Sequence, residues 1–131
     1  MSPLKKIKIL IVEDEASLST ILTEQLQLEG FITSSAANGQ EGLTKALSEL
    51  PDLILLDIVM PVMDGLTMLQ KLRETNDYGH GVPVILLTNL SANTEDIIKK
   101  VATTEPAYYI VKTDMKMAQI IKKIRERLAK K

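Results

Sequence analysis

At 131 residues the chain fits one compact domain, long enough to bury a core and too short for a second domain of ordinary size. Its 16 basic and 17 acidic side chains nearly cancel, so no whole-chain field draws it to nucleic acid or an anionic membrane. It has no cysteine and a single histidine, His80, which excludes disulfides, thiol catalysis, cysteine metal sites and multi-histidine zinc sites.

The first element is the branched apolar run Ile7 to Val12, preceded and interrupted by Lys5, Lys6 and Lys8. It breaks at Glu13-Asp14-Glu15 before any cleavage-like site, which argues against a signal peptide. No segment approaches the ~20 apolar residues that span a bilayer, so a cytoplasmic protein is expected. Leu18, Ile21, Leu22 and Leu26 then recur at helical spacing, and Gly30 ends that helix. Phe31 to Ala36 reads as a second strand, and Leu43, Ala46, Leu47 and Leu50 as the apolar face of a second helix. Pro51 introduces a third strand, Leu53 to Leu56, and Asp64-Gly65 after Pro61 opens a third helix bearing Leu66, Leu69 and Leu72. A fourth strand spans Val84 to Leu87, and Asn93 or Thr94 caps a fourth helix with Ile97, Ile98 and Val101. Tyr108 to Val111 is the fifth strand. Asp114 caps the last helix, with Met117, Ile120, Ile121, Ile124 and Leu128 on its apolar face. The basic residues at its end, Lys122, Lys123, Arg125, Arg127, Lys130 and Lys131, complement the helix dipole.

Strict alternation of strands and helices predicts an α/β fold. Right-handed crossovers place helices on both faces of a parallel sheet, and strands buried on both sides lose their polar alternation. In such a sheet the working residues lie at the carboxyl ends of the strands, near the point where strand order reverses. Those ends carry Glu13 and Asp14, Asp57, Thr88 and Lys112. Asp57 ends the most apolar strand, where a carboxylate beside Glu13 and Asp14 meets desolvation and like-charge repulsion. A cation resolves that conflict. Mg²⁺ prefers oxygen ligands and is held by one or two carboxylates together with a phosphate, and Lys112 supplies a second positive charge. A carboxylate can act as a nucleophile toward phosphorus, with Thr88 donating to a phosphoryl oxygen. Each residue also has a plainer reading: Asp14 as a helix cap, Asp57 as a turn residue, Thr88 as a loop hydroxyl, Lys112 as a surface lysine. Their joint placement at the strand ends favours chemistry.

The chain resembles the response-regulator receiver family of two-component signalling, chemotaxis-regulator-like, from Ile7 to Leu128. The matching segments are Ile9 to Glu15, Pro51 to Gly65 with its Leu55-Leu56-Asp57 and Met60-Pro61-Val62-Met63-Asp64-Gly65, and Pro83 to Thr88. The resemblance implies a single receiver domain over residues 1–131, core about 7–128, with a doubly wound, flavodoxin-like five-stranded sheet of strand order 2-1-3-4-5. It implies that Asp57 is the phosphoacceptor, that Glu13, Asp14, Asp57 and the backbone carbonyl of Val59 hold Mg²⁺, and that Thr88 and Lys112 contact the phosphoryl group. Thr88 and Tyr109 would form the switch. The implied partners are a sensor histidine kinase or phosphotransfer protein and a downstream protein reading the face of the fourth helix, fifth strand and fifth helix. Direct nucleic-acid or membrane binding is not expected, and the protein would be a monomer or a phosphorylation-dependent dimer. It would be no enzyme beyond its own phosphotransfer and dephosphorylation.

Some positions depart from the family pattern. Thr113 follows Lys112 where a proline, often joined by a cis bond, is common. A cis bond to a non-proline costs about 2.5–4 kcal/mol, so a trans loop would place Lys112 differently. Thr103-Thr104-Glu105-Pro106-Ala107 replaces a Gly-Ala turn, and Asn89 stands where a smaller residue is usual. Two other readings stay open. A Mg²⁺-dependent hydrolase with an aspartyl nucleophile would want a second acid two residues after Asp57, where Val59 stands. A non-phosphorylated interaction module would keep the fold alone.

Overall fold

The computed structural model describes residues 6–88, 107–111 and 116–129. In chain order the elements are β1 (Lys8–Val12), α1 (Ala16–Leu28), β2 (Ile32–Ala36), α2 (Gly39–Glu49), β3 (Leu53–Asp57), α3 (Gly65–Thr75), α4 (Asp77–Gly81), β4 (Val84–Thr88), β5 (Ala107–Val111) and α5 (Met117–Ala129). The strands form one five-stranded sheet in the order β2-β1-β3-β4-β5, parallel at every pairing. This is the expected α/β class and the expected strand order.

A parallel sheet is stable only with both faces covered, and the alternation of side chains along each strand divides the core in two. Leu10, Val12, Ile54, Leu56, Val84 and Leu86 pack with Ala46 of α2 and Met68, Leu69 and Leu72 of α3. Ile9, Ile11, Leu53, Leu55, Ile85 and Leu87 pack with Leu22 and Leu26 of α1 and Ile120 and Ile124 of α5. Each fully buried Leu or Ile contributes about 1.5–3 kcal/mol relative to exposure. Strand β3 lies in the middle of the sheet with every residue buried, which explains the unbroken apolar run that leads to Asp57.

Several local expectations shift. Strands β3 and β4 extend one residue further than the apolar runs, so that Asp57 and Thr88 are their last residues. Leu50 does not belong to the apolar face of α2. The helix ends at Glu49, and Leu50 is a half-exposed cap in the left-handed region, φ 52°. Ile21 is likewise half exposed on α1. Gly30 stops α1 with φ 92°, as a left-handed residue after a helix should. The short α4 was not expected, because its five residues, Asp77–Gly81, are too few to show a helical period. Asn76 starts it by accepting a hydrogen bond from Gly79 N–H at 2.7 Å. The fourth helical stretch (Ile97, Ile98, Val101), its caps Asn93 and Thr94, and Asp114 lie outside the described residues. Among the described residues no helix is long and apolar enough to cross a membrane.

Candidate functional site

The reversal of strand order falls between β1 and β3, which are hydrogen-bonded neighbours although β2 separates them in sequence. Their register runs to the pair Val12 and Leu56. One step further stand Glu13, just past the end of β1, and Asp57, the last residue of β3. Alternation gives both the parity of Ile9, Ile11, Leu53 and Leu55, so they start from the same face of the sheet. Glu13 N–H still donates to the Ala36 carbonyl of β2 at 3.0 Å, which holds this residue in line with its strand. Asp14 follows in the turn and is exposed. The cap position of α1 belongs to Glu15, which makes no side-chain capping bond, so the plainer reading of Asp14 as a helix cap does not hold.

Glu13, Asp14 and Asp57 each offer a carboxylate oxygen, and these oxygens lie within 4.8 Å of one another. Glu13 is only 2% exposed and Asp57 only 4%. Three negative groups this close repel, and burial of two of them sharpens the cost. All three donors are oxygens, the set that suits Mg²⁺ or Ca²⁺ rather than zinc, and the exposed Asp14 leaves an open side for waters in the shell. The residues fit a hard divalent cation.

The loop after Asp57 is built from backbone contacts. Ile58 N–H donates to Leu87 O at 3.2 Å, and Gly65 N–H donates to Ile58 O at 2.8 Å, closing the loop at its base. Gly65 must lack a side chain, since a Cβ there would lie 2.1 Å from the Asp57 carbonyl oxygen. Asp64 caps α3 by accepting Thr67 N–H at 2.8 Å. Within the loop, Met63 N–H donates to Pro61 O at 2.7 Å, forming a three-residue γ-turn around Val62, whose φ is 68°. Val59 is exposed. Sequence reasoning found Gly65 as a helix start and missed the strained residue, because nothing in a valine announces a positive φ.

Thr88 is placed by its backbone at the same sheet edge, as the last residue of β4 and the partner of Val111, one step past the Asp57 and Leu87 pair. Tyr109 is placed by its backbone in β5, opposite Leu86. Lys112 and Thr113 lie outside the described residues, as do Asn89 and the segment from Thr103 to Pro106.

Comparison with known proteins agrees with this fold. The response regulator receiver domain model matches residues 9–125. A "Probable transcriptional regulator ycf27" of Porphyridium aerugineum is 43% identical over 88 residues, covering 67% of this chain and 35% of the relative. The match thus spans about a third of the length of that curated relative. Among solved structures, a CheY-like receiver domain protein from Methanospirillum hungatei has a TM-score of 0.82 at 29% identity, covering 95% of this chain and 94% of the other. The CheX-CheY-BeF3-Mg²⁺ complex from Borrelia burgdorferi matches with a TM-score of 0.82 at 30% identity, covering 95% and 90%.

Proposed function

From the premise that the chain belongs to the response regulator receiver domain family, we propose that it accepts a phosphoryl group on Asp57 in a two-component phosphorelay. The observation that carries this reading is the convergence of the Glu13, Asp14 and Asp57 carboxylates within 4.8 Å at the strand-order reversal. A sensor histidine kinase or phosphotransfer protein presents a phosphohistidine. An Asp57 carboxylate oxygen attacks phosphorus, the O–P bond forms, and the N–P bond breaks with its electron pair returning to the imidazole. Mg²⁺, when bound by Glu13, Asp14, Asp57 and the Val59 carbonyl, neutralises charge on the phosphoryl oxygens. Burial of Asp57 in the centre of the sheet fixes its direction, and the apolar strand behind it excludes water from that side.

Thr88 donates to a phosphoryl oxygen, Lys112 supplies a second positive charge, and Thr88 with Tyr109 forms the switch. The new charge biases the segment after β4 together with β5, and a downstream protein reads that face. The role is regulatory, with no turnover beyond the protein's own phosphorylation and dephosphorylation, and residues 7–128 act as one domain in the cytoplasm. The Borrelia burgdorferi relative described with BeF3 and Mg²⁺ supports the pairing of a phosphoryl-like group with this ion.

The test is incubation with a small acyl-phosphate donor and Mg²⁺, read by intact mass. One phosphoryl group is expected on the wild type and none on Asp57→Asn or in chelator. No adduct with any donor would favour a non-phosphorylated interaction module.

A further inference from the structure

We infer that Gly39 is a positioning residue for the metal site, through which α2 clamps the loop after Asp57. This rests on the reading above that Mg²⁺ binds at Asp57 with the Val59 carbonyl. The loop that carries Val59 is strained. Val62 is β-branched, its φ of 68° lies in the left-handed region, and the residue is 84% exposed, so burial does not offset the cost. A turn of this kind persists only where its surroundings over-determine it.

Two backbone hydrogen bonds are among those surroundings. Gly65 N–H to Ile58 O at 2.8 Å holds the base of the loop, and Gly39 N–H to Met63 O at 2.9 Å holds its far side, directly after the γ-turn. Gly39 is the first residue of α2, and its N–H is one of those a helix leaves without an internal partner. Here it goes to the loop, while the Asn38 side chain accepts Glu41 N–H at 2.9 Å. The contact requires glycine, because a Cβ at this position would lie 2.4 Å from the Met63 oxygen. One turn along, Gly42 seats the helix against β1, where a Cβ would lie 2.8 Å from Val12 Cγ1. Val12 immediately precedes Glu13. The first turn of α2 therefore touches both halves of the proposed site, the end of the strand that delivers Glu13 and the loop that delivers Val59, and fixes one relative to the other.

The test is calorimetric titration of Mg²⁺, with the amide chemical shifts of the loop followed in parallel. Gly39→Ala is expected to weaken Mg²⁺ binding about tenfold, the usual scale for loss of an outer-shell support. Asn38→Ala and Asn76→Ala form a matched pair, since each removes a side-chain cap, at α2 and at α4 respectively. Both are expected to lower the melting temperature to a similar degree, and only Asn38→Ala to weaken Mg²⁺ binding and shift the loop amides. If Gly39→Ala does not fold, this pair decides alone. Wild-type affinity in folded Gly39→Ala or in Asn38→Ala, or equal weakening in Asn76→Ala, would overturn the clamp. A wild type that binds no Mg²⁺ would overturn the metal-dependent reading itself and the clamp with it.

Discussion

Gly65 and Val62 make opposite demands on the same loop. Gly65 approaches the Asp57 carbonyl so closely that a methyl group must displace backbone, and Gly65→Ala is expected to cost about 3 kcal/mol. Val62 sits at a positive φ that its branched side chain resists. Val62→Gly removes that resistance, and even after the added freedom of the unfolded glycine the gain should be about 1 kcal/mol. Urea denaturation midpoints for the two variants, moving in opposite directions, are the expected result. A lower midpoint for Val62→Gly would show that the turn is not strained.

At the scale of elements, the end of the sheet away from the acids is held by α3, α4 and the start of β4. The Arg73 guanidinium of α3 donates to Gly79 O at 2.9 Å and Val82 O at 2.7 Å, and the Tyr78 hydroxyl donates to Pro51 O at 2.6 Å. Burial, with repulsion from Arg127, lowers Arg73 to about 10. Burial, reinforced by Asp52, pushes the Tyr78 phenol well above its ordinary value. Above about pH 10 an unfolded tyrosine loses its proton while the folded one keeps it, so the folded state binds more protons and stability falls as pH rises. Arg73 acts with the opposite sign, which makes Tyr78→Phe the informative variant. It should cost about 1–2 kcal/mol at neutral pH, by leaving the Pro51 carbonyl without its phenol donor, and should lose less stability than wild type between pH 10 and 12. Parallel stability curves in that range would contradict the assignment.

Across the whole molecule, three carboxylates from two strand ends gather at one side of the sheet. Removing one member of the crowded trio should relieve repulsion. Asp14→Asn is therefore expected to melt no lower than wild type in chelator. On the proposed reading Mg²⁺ would bind only the folded arrangement and should raise the wild-type melting temperature, by mass action worth about 2.7 kcal/mol at a hundredfold excess over Kd. Asp14→Asn should lose most of that increment. A Mg²⁺ increment equal to that of wild type would remove Asp14 from the metal site.

The alternation of apolar runs with helical periods determined the α/β class by itself, because strands buried on both faces and amphipathic helices leave different periods in the chain. The acids were legible for a related reason: Glu13, Asp14 and Asp57 interrupt apolar runs at the ends where such sheets carry their chemistry. The strand order was implied by family resemblance rather than by period, since periodicity records burial and not which strands pair. Only the tertiary structure decided that Leu50 leaves the apolar face, that Asn76 starts a further helix, that Asp14 is not spent on capping α1, and that Val62 is driven to a positive φ. It also brought Gly39 to Met63 across a gap in sequence. Those outcomes depend on close backbone approach between separate elements, and a hydrogen bond between two main chains leaves no mark on the side chains except, at Gly39 and Gly65, the absence of one.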